Sequence, residues 1–418
     1  MLFAFARTAI LVRVGDRLSL THPLPARTTL VLRLCKDVFM IGRVMPLFTA
    51  AAAFLLAVTA HAAPAASPAS TQPCTAVSAG CAGAAAIAGA AIKWHPGQYM
   101  SLENNHKYDD IDQRYISQIG GEPTVTGILR NWNWRDIETS RGVYDFSSID
   151  TYLKTVTSLS SKKRMIIRID NRVFGGQTGS TVPDYLKSDP AYMGGAVPMA
   201  NGVVARIWDA PVMDRYIALI QALAQRYDSN PYVEGISTSE TAIGFSSAYP
   251  APATFSTGTL LAQLQRYMIA ARLAWAHSAV FVETNYFGSD SQMQALIDSA
   301  VKNQAVIGGP DVIPGTAIQS DQVMLGAAGT GADYRRIVAI KSEVQLPELG
   351  LKYKFMPAEL YAQAYNVSHA NYMLWDRNDY YGTSAQQWVS GILPFIRSVG
   401  GKTYTDCPRS YSSGCATN

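Results

Sequence analysis

From about residue 91 to residue 405, short apolar runs alternate with longer amphipathic segments. Eight runs read as strands: AAIKW around 91–95, VTGILRNW (125–132), RMIIRID (164–170), VEGISTSE (233–240), AVFVETNYF (279–287), AVIGG (305–309), RRIVAIKSE (335–343) and ANYMLW (370–375). Helical patterns fall between them, over Ser147 to Leu159, Pro211 to Tyr227, Thr259 to Ala276, Ser291 to Lys302 and Pro357 to Tyr365. In the second of these, Val212, Tyr216, Leu219, Ile220 and Leu223 recur at the spacing of one helix face. Strands alternating with helices predict a parallel sheet, and eight of them predict a closed α/β barrel of the (β/α)8 (TIM barrel) type in one domain, 91–405. A doubly wound sheet is the runner-up, but it lacks its phosphate-cradling glycine turn. The nearest candidate, GAAGTG at 326–331, follows no strand and opens no helix.

The N-terminal region has a different pattern. Residues 46–60 form an apolar run of 15, preceded by Arg43 and followed by Ala60-His61-Ala62. This is too short to span a bilayer comfortably and has the make-up of a secretory signal peptide. Its position predicts a start at Met40, a signal peptide over 40–62, and an upstream over-call of the reading frame over 1–39. Residues 63–90, rich in Ala, Ser, Pro and Gly, read as a linker. Export predicts a secreted or periplasmic protein without stable membrane insertion. N-terminal sequencing of the exported chain checks the start.

The leader also changes the charge. The full chain carries 35 basic and 31 acidic residues, a net charge of +4. Residues 1–62 hold seven of the basic and two of the acidic ones, so the remainder has 28 against 29, a net of −1. The case for a nucleic-acid partner disappears with the leader, and a neutral substrate fits better. Cys35 goes too, leaving Cys74/Cys81 and Cys407/Cys415, the latter in a C-terminal tail over 406–418. An even count in an exported chain predicts disulfides, with three connectivities open: two local loops, or either of two cross-pairings that clamp the termini together. No His sits near either pair, so metal ligation has no support.

An α/β barrel builds its site at the C-terminal ends of its strands. The predicted strands end in Trp94 and His95; in Arg130, Asn131, Trp132 and Trp134; in Arg168 and Asp170; in Ser239 and Glu240; in Glu283, Asn285 and Tyr286; near Asp311; in Glu343; and in Trp375 and Asp376. Aromatic faces stack on sugar rings, while carboxylates and amides bind hydroxyls. This composition predicts a carbohydrate cleft. Glycoside hydrolysis needs two carboxyl groups flanking the scissile bond. Glu240 and Glu343, on the fourth and seventh strands, are the best pair, with Glu283 as the rival. Glu138 reads as a holder of the loop after the second strand. Arg130 and Arg168, within apolar runs, each require a carboxylate partner. No H-E-x-x-H, P-loop or G-x-S-x-G motif occurs, and no cofactor is called for.

The segment RNWNWRDIETSRGVYDFSSIDTYL (130–153) resembles one common in clan A glycoside hydrolases, the cellulase-like (β/α)8 enzymes, in which a second-strand Trp precedes an acidic residue, a Gly-x-Tyr-Asp-Phe turn and a helix. The resemblance implies a retaining mechanism with Glu240 as acid/base and Glu343 as nucleophile. It implies that Arg130 or Arg168 keeps the nucleophile ionised, that Tyr286 hydrogen-bonds it, and that Trp375 floors the sugar subsite. The clan has Asn before its acid/base, where this chain has Ser239; a hydroxyl cannot reproduce the paired donor and acceptor of an amide. A non-catalytic carbohydrate-binding barrel and a transglycosylase are the alternatives, separated by product formation and by product length. Sugar, linkage, endo or exo action and oligomeric state are not legible.

Overall fold

A computed structural model describes residues 90–102, 110–174, 181–315, 318–326, 329 and 333–417. The predicted leader, the linker up to residue 89 and the Cys74/Cys81 pair lie outside the described residues. Eight parallel strands close into a barrel: β1 (Gly97–Leu102), β2 (Val125–Asn133), β3 (Arg164–Asp170), β4 (Val233–Ser237), β5 (Ala279–Glu283), β6 (Val306–Gly308), β7 (Ala339–Val344) and β8 (Tyr372–Asp376). Each pairs with its successor, and β8 pairs with β1 from Tyr372↔Gly97 to Asp376↔Ser101. A helix follows each strand: α1 (Asp110–Ser117), α2 (Ser147–Ser158), α3 (Ala210–Tyr227), α4 (Thr257–Ala274), α5 (Asp290–Lys302), α6 (Gln319–Met324), α7 (Pro357–Ala362) and α8 (Leu393–Ser398). The (β/α)8 architecture is therefore as predicted.

One strand differs. The run around 91–95 is not the first barrel strand. Ile92–Lys93 instead makes a two-residue parallel ladder with Cys415–Ala416, and the barrel begins at Gly97. GQYMSL has too few β-branched residues to announce a strand, although all six positions are buried.

Strand alternation divides the interior into two layers. Near the N-terminal ends the inward residues are apolar: Tyr99, Leu129, Ile166, Phe281, Val306, Ala339, Tyr372 and Leu374 form one buried cluster. The Phe281 and Tyr372 rings lie 5.0 Å apart across the barrel. A Cβ at Gly127 or Gly235 would come within 2.2 Å of the Arg164 carbonyl oxygen or 2.1 Å of that of Ala279, and would also press on the Tyr99 or Phe281 ring, so both positions require glycine. Further along most of the strands the inward positions turn polar, as at Ser101, Asn131, Arg168, Glu283, Lys341 and Asp376. The odd-phase residues, such as Ile128, Ile167, Ile236 and Ile340, face the helices and build the larger core.

The tail closes the bottom. Trp94 and Tyr411 pack against the apolar interior, and Cys407 is disulfide-bonded to Cys415. That bond is local, so the arrangement in which Cys407 or Cys415 clamps the two termini together is set aside.

Candidate active site

The upper layer is built by strand alternation. On β3, inward Ile166 is followed by Arg168 and Asp170, and the same phase continues to Arg172 just beyond the strand. On β7, Ala339 is followed by Lys341 and Glu343. These charges meet in a closed network. Arg168 binds Glu283 at 2.6 Å and also Glu343; Lys341 Nζ binds Glu283 at 3.0 Å and Glu343 at 2.6 Å. Ser101 Oγ donates to Glu343 Oε1 at 3.0 Å. Two cations thus face two carboxylates, which makes this depth of burial tolerable.

Above the network lies a cavity of about 570 Å3, whose wall includes Asn131, Arg168, Asp170, Arg172, Ser239, Glu240, Glu283, Asn285, Asp311 and Asp376. Glu283 reaches it. Glu343 is fully buried beneath it and does not line it. Burial raises the pKa of Glu283 despite its cationic partners, because desolvation disfavours the charged form.

Glu240 sits on the wall just past β4. Asn285 Nδ2 donates to its Oε2, and the Arg172 guanidinium lies 3.7 Å from Oε1. Arg172 also donates to the carbonyl oxygens of Glu240 and Ala242, fixing the backbone that carries the carboxyl. Desolvation raises the Glu240 pKa to about 7, with Glu283 and Asp311 adding to the rise and Arg172 and Asn285 opposing it. Glu240 therefore keeps a proton available near neutrality. Asp170 is pushed by burial to about 6; it accepts from Ser239 Oγ at 3.2 Å and from Asn131 Nδ2 at 3.1 Å. The Asp376 carboxyl is raised well above the usual range by burial and by repulsion from Glu343.

Asn131, Arg168, Ser239, Glu240 and Asn285 thus share one cavity, with Glu343 directly below. Six expected contributors are elsewhere. Trp94 and His95 precede β1 and so lie at the opposite, N-terminal end; Trp94 Nε1 donates to the Thr405 carbonyl oxygen, and His95 binds buried Glu234 at 2.8 Å. Arg130 and Trp132 flank inward Asn131 and therefore face outward. Arg130 pairs with Asp112 at 3.2 Å, and Trp132 Nε1 donates to Ser148 Oγ. Trp375 stands between inward Leu374 and Asp376, faces the helices and donates to Gln98 Oε1 at 2.7 Å; it is no sugar platform. Tyr286 is half exposed on an adjacent cavity, not at Glu343. Glu138 behaves as read: buried, it accepts from Trp134, Gly142 and Arg215 and holds the loop after β2.

Sequence reasoning missed Arg172, although the period of β3 pointed to it. It also missed Phe174, which is exposed on the cavity rim, and Asn201. Phe174 comes from a three-stranded antiparallel sheet, Arg172–Phe174 with Gly202–Ala205 and Ala196–Met199, and Asn201 from the turn joining the last two, inside a segment that carried no readable pattern.

No protein-family model and no curated protein matches the sequence. Solved structures with a similar chain course include the catalytic domain of β-amylase from Paenibacillus polymyxa, at 10% identity and TM-score 0.49, covering 68% of this chain and 93% of that one. Endo-glycoceramidase II from Rhodococcus sp. is similar at 15% identity and TM-score 0.47, over 73% and 80% of the two chains. The endo-1,4-beta-mannanase from Rhizomucor miehei is similar at 14% identity and TM-score 0.47, over 67% and 85%.

Proposed function

We propose that the protein is an exported glycoside hydrolase acting on a neutral, β-linked carbohydrate by double displacement. The observation that carries this reading is a carboxyl, Glu240, poised near neutrality on the wall of a cleft that Glu283 also lines, with Glu283 joined to buried Glu343 through Arg168 and Lys341. In the first step Glu240 gives its proton to the glycosidic oxygen as the C1–O bond breaks. Glu343 Oε forms a new bond to C1, and the alcohol leaves. In the second step Glu240, now a carboxylate, takes a proton from water as the water oxygen attacks C1. The ester to Glu343 breaks and its carboxylate is restored. Arg168 and Lys341, both ion-paired to Glu343, support this role. With Ser239 turned to Asp170, Asn131 and Asp170 are the groups placed to bind a sugar hydroxyl.

A second reading rests on the cavity wall. Glu283 shares both cations with Glu343 and reaches the cavity, which favours Glu283 as the nucleophile with Glu343 as its neighbour below. Trapping with a 2-deoxy-2-fluoro glycoside, followed by peptide mapping, separates the two: an ester on 343 supports the first, an ester on 283 the second. Binding of glycans without turnover across a polysaccharide panel would overturn both.

A further inference from the structure

Among the described residues, the aromatic rings most open to solvent are Phe174, Tyr249, Tyr286, Tyr380 and Tyr381, with Tyr380 80% exposed. All of them stand on segments that follow a barrel strand, after β3, β4, β5 and β8, and therefore at the mouth that holds the carboxylate cleft. None of these rings is on a barrel helix or in a turn leading from helix to strand. In a closed barrel of eight strands, β8 lies across the mouth from β4, and β7 across from β3. The rings therefore form two banks, Phe174, Tyr249 and Tyr286 on one side and Tyr380 and Tyr381 on the other.

Both banks are continuous with the cleft. Phe174 and Leu351 line it from the loops after β3 and β7. Cleft residue Asn201 follows Ala200, whose amide donates to the Gly244 carbonyl oxygen at 2.8 Å and ties the Tyr249 segment to it. Across the mouth, Asn378 Nδ2 donates to the Leu349 carbonyl oxygen at 3.1 Å, which ties the Tyr380 turn to the loop that carries Leu351. The ring-bearing turns are also fixed. Asn378 is fully buried, and its Oδ1 accepts from the Tyr380 and Tyr381 amides at 3.2 and 3.0 Å. On the other bank, Ser246 and Tyr249 exchange backbone hydrogen bonds of 2.9 and 3.1 Å. An exposed ring is ordinary in itself; one held on a turn by a buried side chain is preorganised for a ligand.

Whatever bridges the banks must cross the carboxyls between them, Asp170, Glu240, Glu283, Asp311 and Asp376. A protein surface laid over these groups would strip their water and return few bonds. A chain of sugars offers hydroxyls to the carboxyls and C–H faces to the rings on either side. A single terminal sugar fills only the middle.

We infer that the two banks bind successive sugars on both sides of the scissile bond, so that the substrate is the interior of a polysaccharide chain and cleavage is endo. Cleavage rests on the glycosidase reading; chain binding does not. Affinity electrophoresis tests it, with the protein run through gels containing glucomannan, hydroxyethylcellulose, xylan, β-1,4-galactan or β-1,3-glucan, in the Glu240→Gln background so that the polymer stays intact. At least one polymer is expected to retard the protein. Tyr249→Ala and Tyr380→Ala should each weaken that binding about three- to tenfold, and the double variant by about the product, since the two residues stand on opposite banks. Both side chains are exposed, so their truncation leaves the fold intact. No retardation by any polymer, or retardation indifferent to either variant, overturns the proposal. A second arm gives the retarding polymer to the wild type. A fall in viscosity ahead of reducing-sugar release supports internal cleavage; release of mono- or disaccharide with the viscosity kept overturns it. If the polymer is bound through both tyrosines but never cleaved, the glycosidase reading fails and the chain-binding surface stands. If a short glycoside is cleaved but no polymer is retained, the reverse holds.

Discussion

Glu240→Gln should stabilise the protein, and more so as the pH rises. The folded state holds the Glu240 pKa at about 7 against an ordinary 4.5. A carboxyl raised in this way binds its proton more tightly folded than unfolded. Its stability contribution is fully present below the unfolded pKa and is lost as pH rises through the folded pKa. From those two values, the penalty relative to a neutral side chain is about 1 kcal/mol at about pH 5 and about 3 kcal/mol at about pH 8. Gln is neutral, nearly isosteric and still accepts from Asn285, so the variant lacks this penalty. Urea denaturation of wild type and variant at both pH values checks it, because the other carboxyls of the cleft cancel to first order in the difference. The variant's advantage should grow by roughly 2 kcal/mol between the two conditions. An advantage that is constant with pH, or that shrinks, would mean that Glu240 is solvated like an ordinary surface carboxylate, and the acid role would lose its physical basis.

Activity should fall on the alkaline side as Glu240 loses its proton near pH 7, and the kcat/KM profile of the wild type reads this limb directly. Glu343→Gln should abolish turnover on any glycoside; activity equal to wild type would remove that residue from the chemistry. Phe174→Ala should raise KM about three- to tenfold with kcat little changed, as expected for loss of one stacking face on the rim. Trp375→Phe should cost about 1–3 kcal/mol in denaturation, because it leaves buried Gln98 Oε1 without its donor, while leaving KM untouched. Replacing Cys407 and Cys415 by Ser should lower stability by about 2 kcal/mol through loss of the loop constraint.

The barrel was legible because seven of its eight strands lie in recognisable apolar runs and its spacers carry helical periods. β1 was not, since GQYMSL mixes polar and aromatic residues whose burial comes from closure between β8 and β2. At the site, carboxylates were easier to read than aromatics. A charged residue inside an apolar run must be satisfied by something, so Arg168, Glu240 and Glu343 stood out. A Trp in the same run is equally at home facing the helices, and strand phase alone decides. Asn131 inward fixes Trp132 outward; Asp376 inward fixes Trp375 outward. The phase had an internal marker, the polar neighbour, and applying it would have moved both indoles into the wall.

The same phase explains why the cleft carries so much charge. Each inward position near the barrel mouth continues a row that begins apolar: Ile166 leads to Arg168 and Asp170, Ala339 to Lys341 and Glu343, Phe281 to Glu283. The lower layer is apolar and packed, so it holds the upper side chains at fixed height with little room to relax. Charges so confined must neutralise one another or shift their pKa values. Arg168 and Lys341 satisfy Glu283 and Glu343, and among the described residues no cation meets Glu240 as closely; its guanidinium neighbour stands 3.7 Å away and spends its hydrogen bonds on backbone carbonyls. The contrast between the well-paired Glu283 and Glu343 and the under-paired Glu240 leaves Glu240 holding a proton near neutrality, as the acid role proposed for it requires.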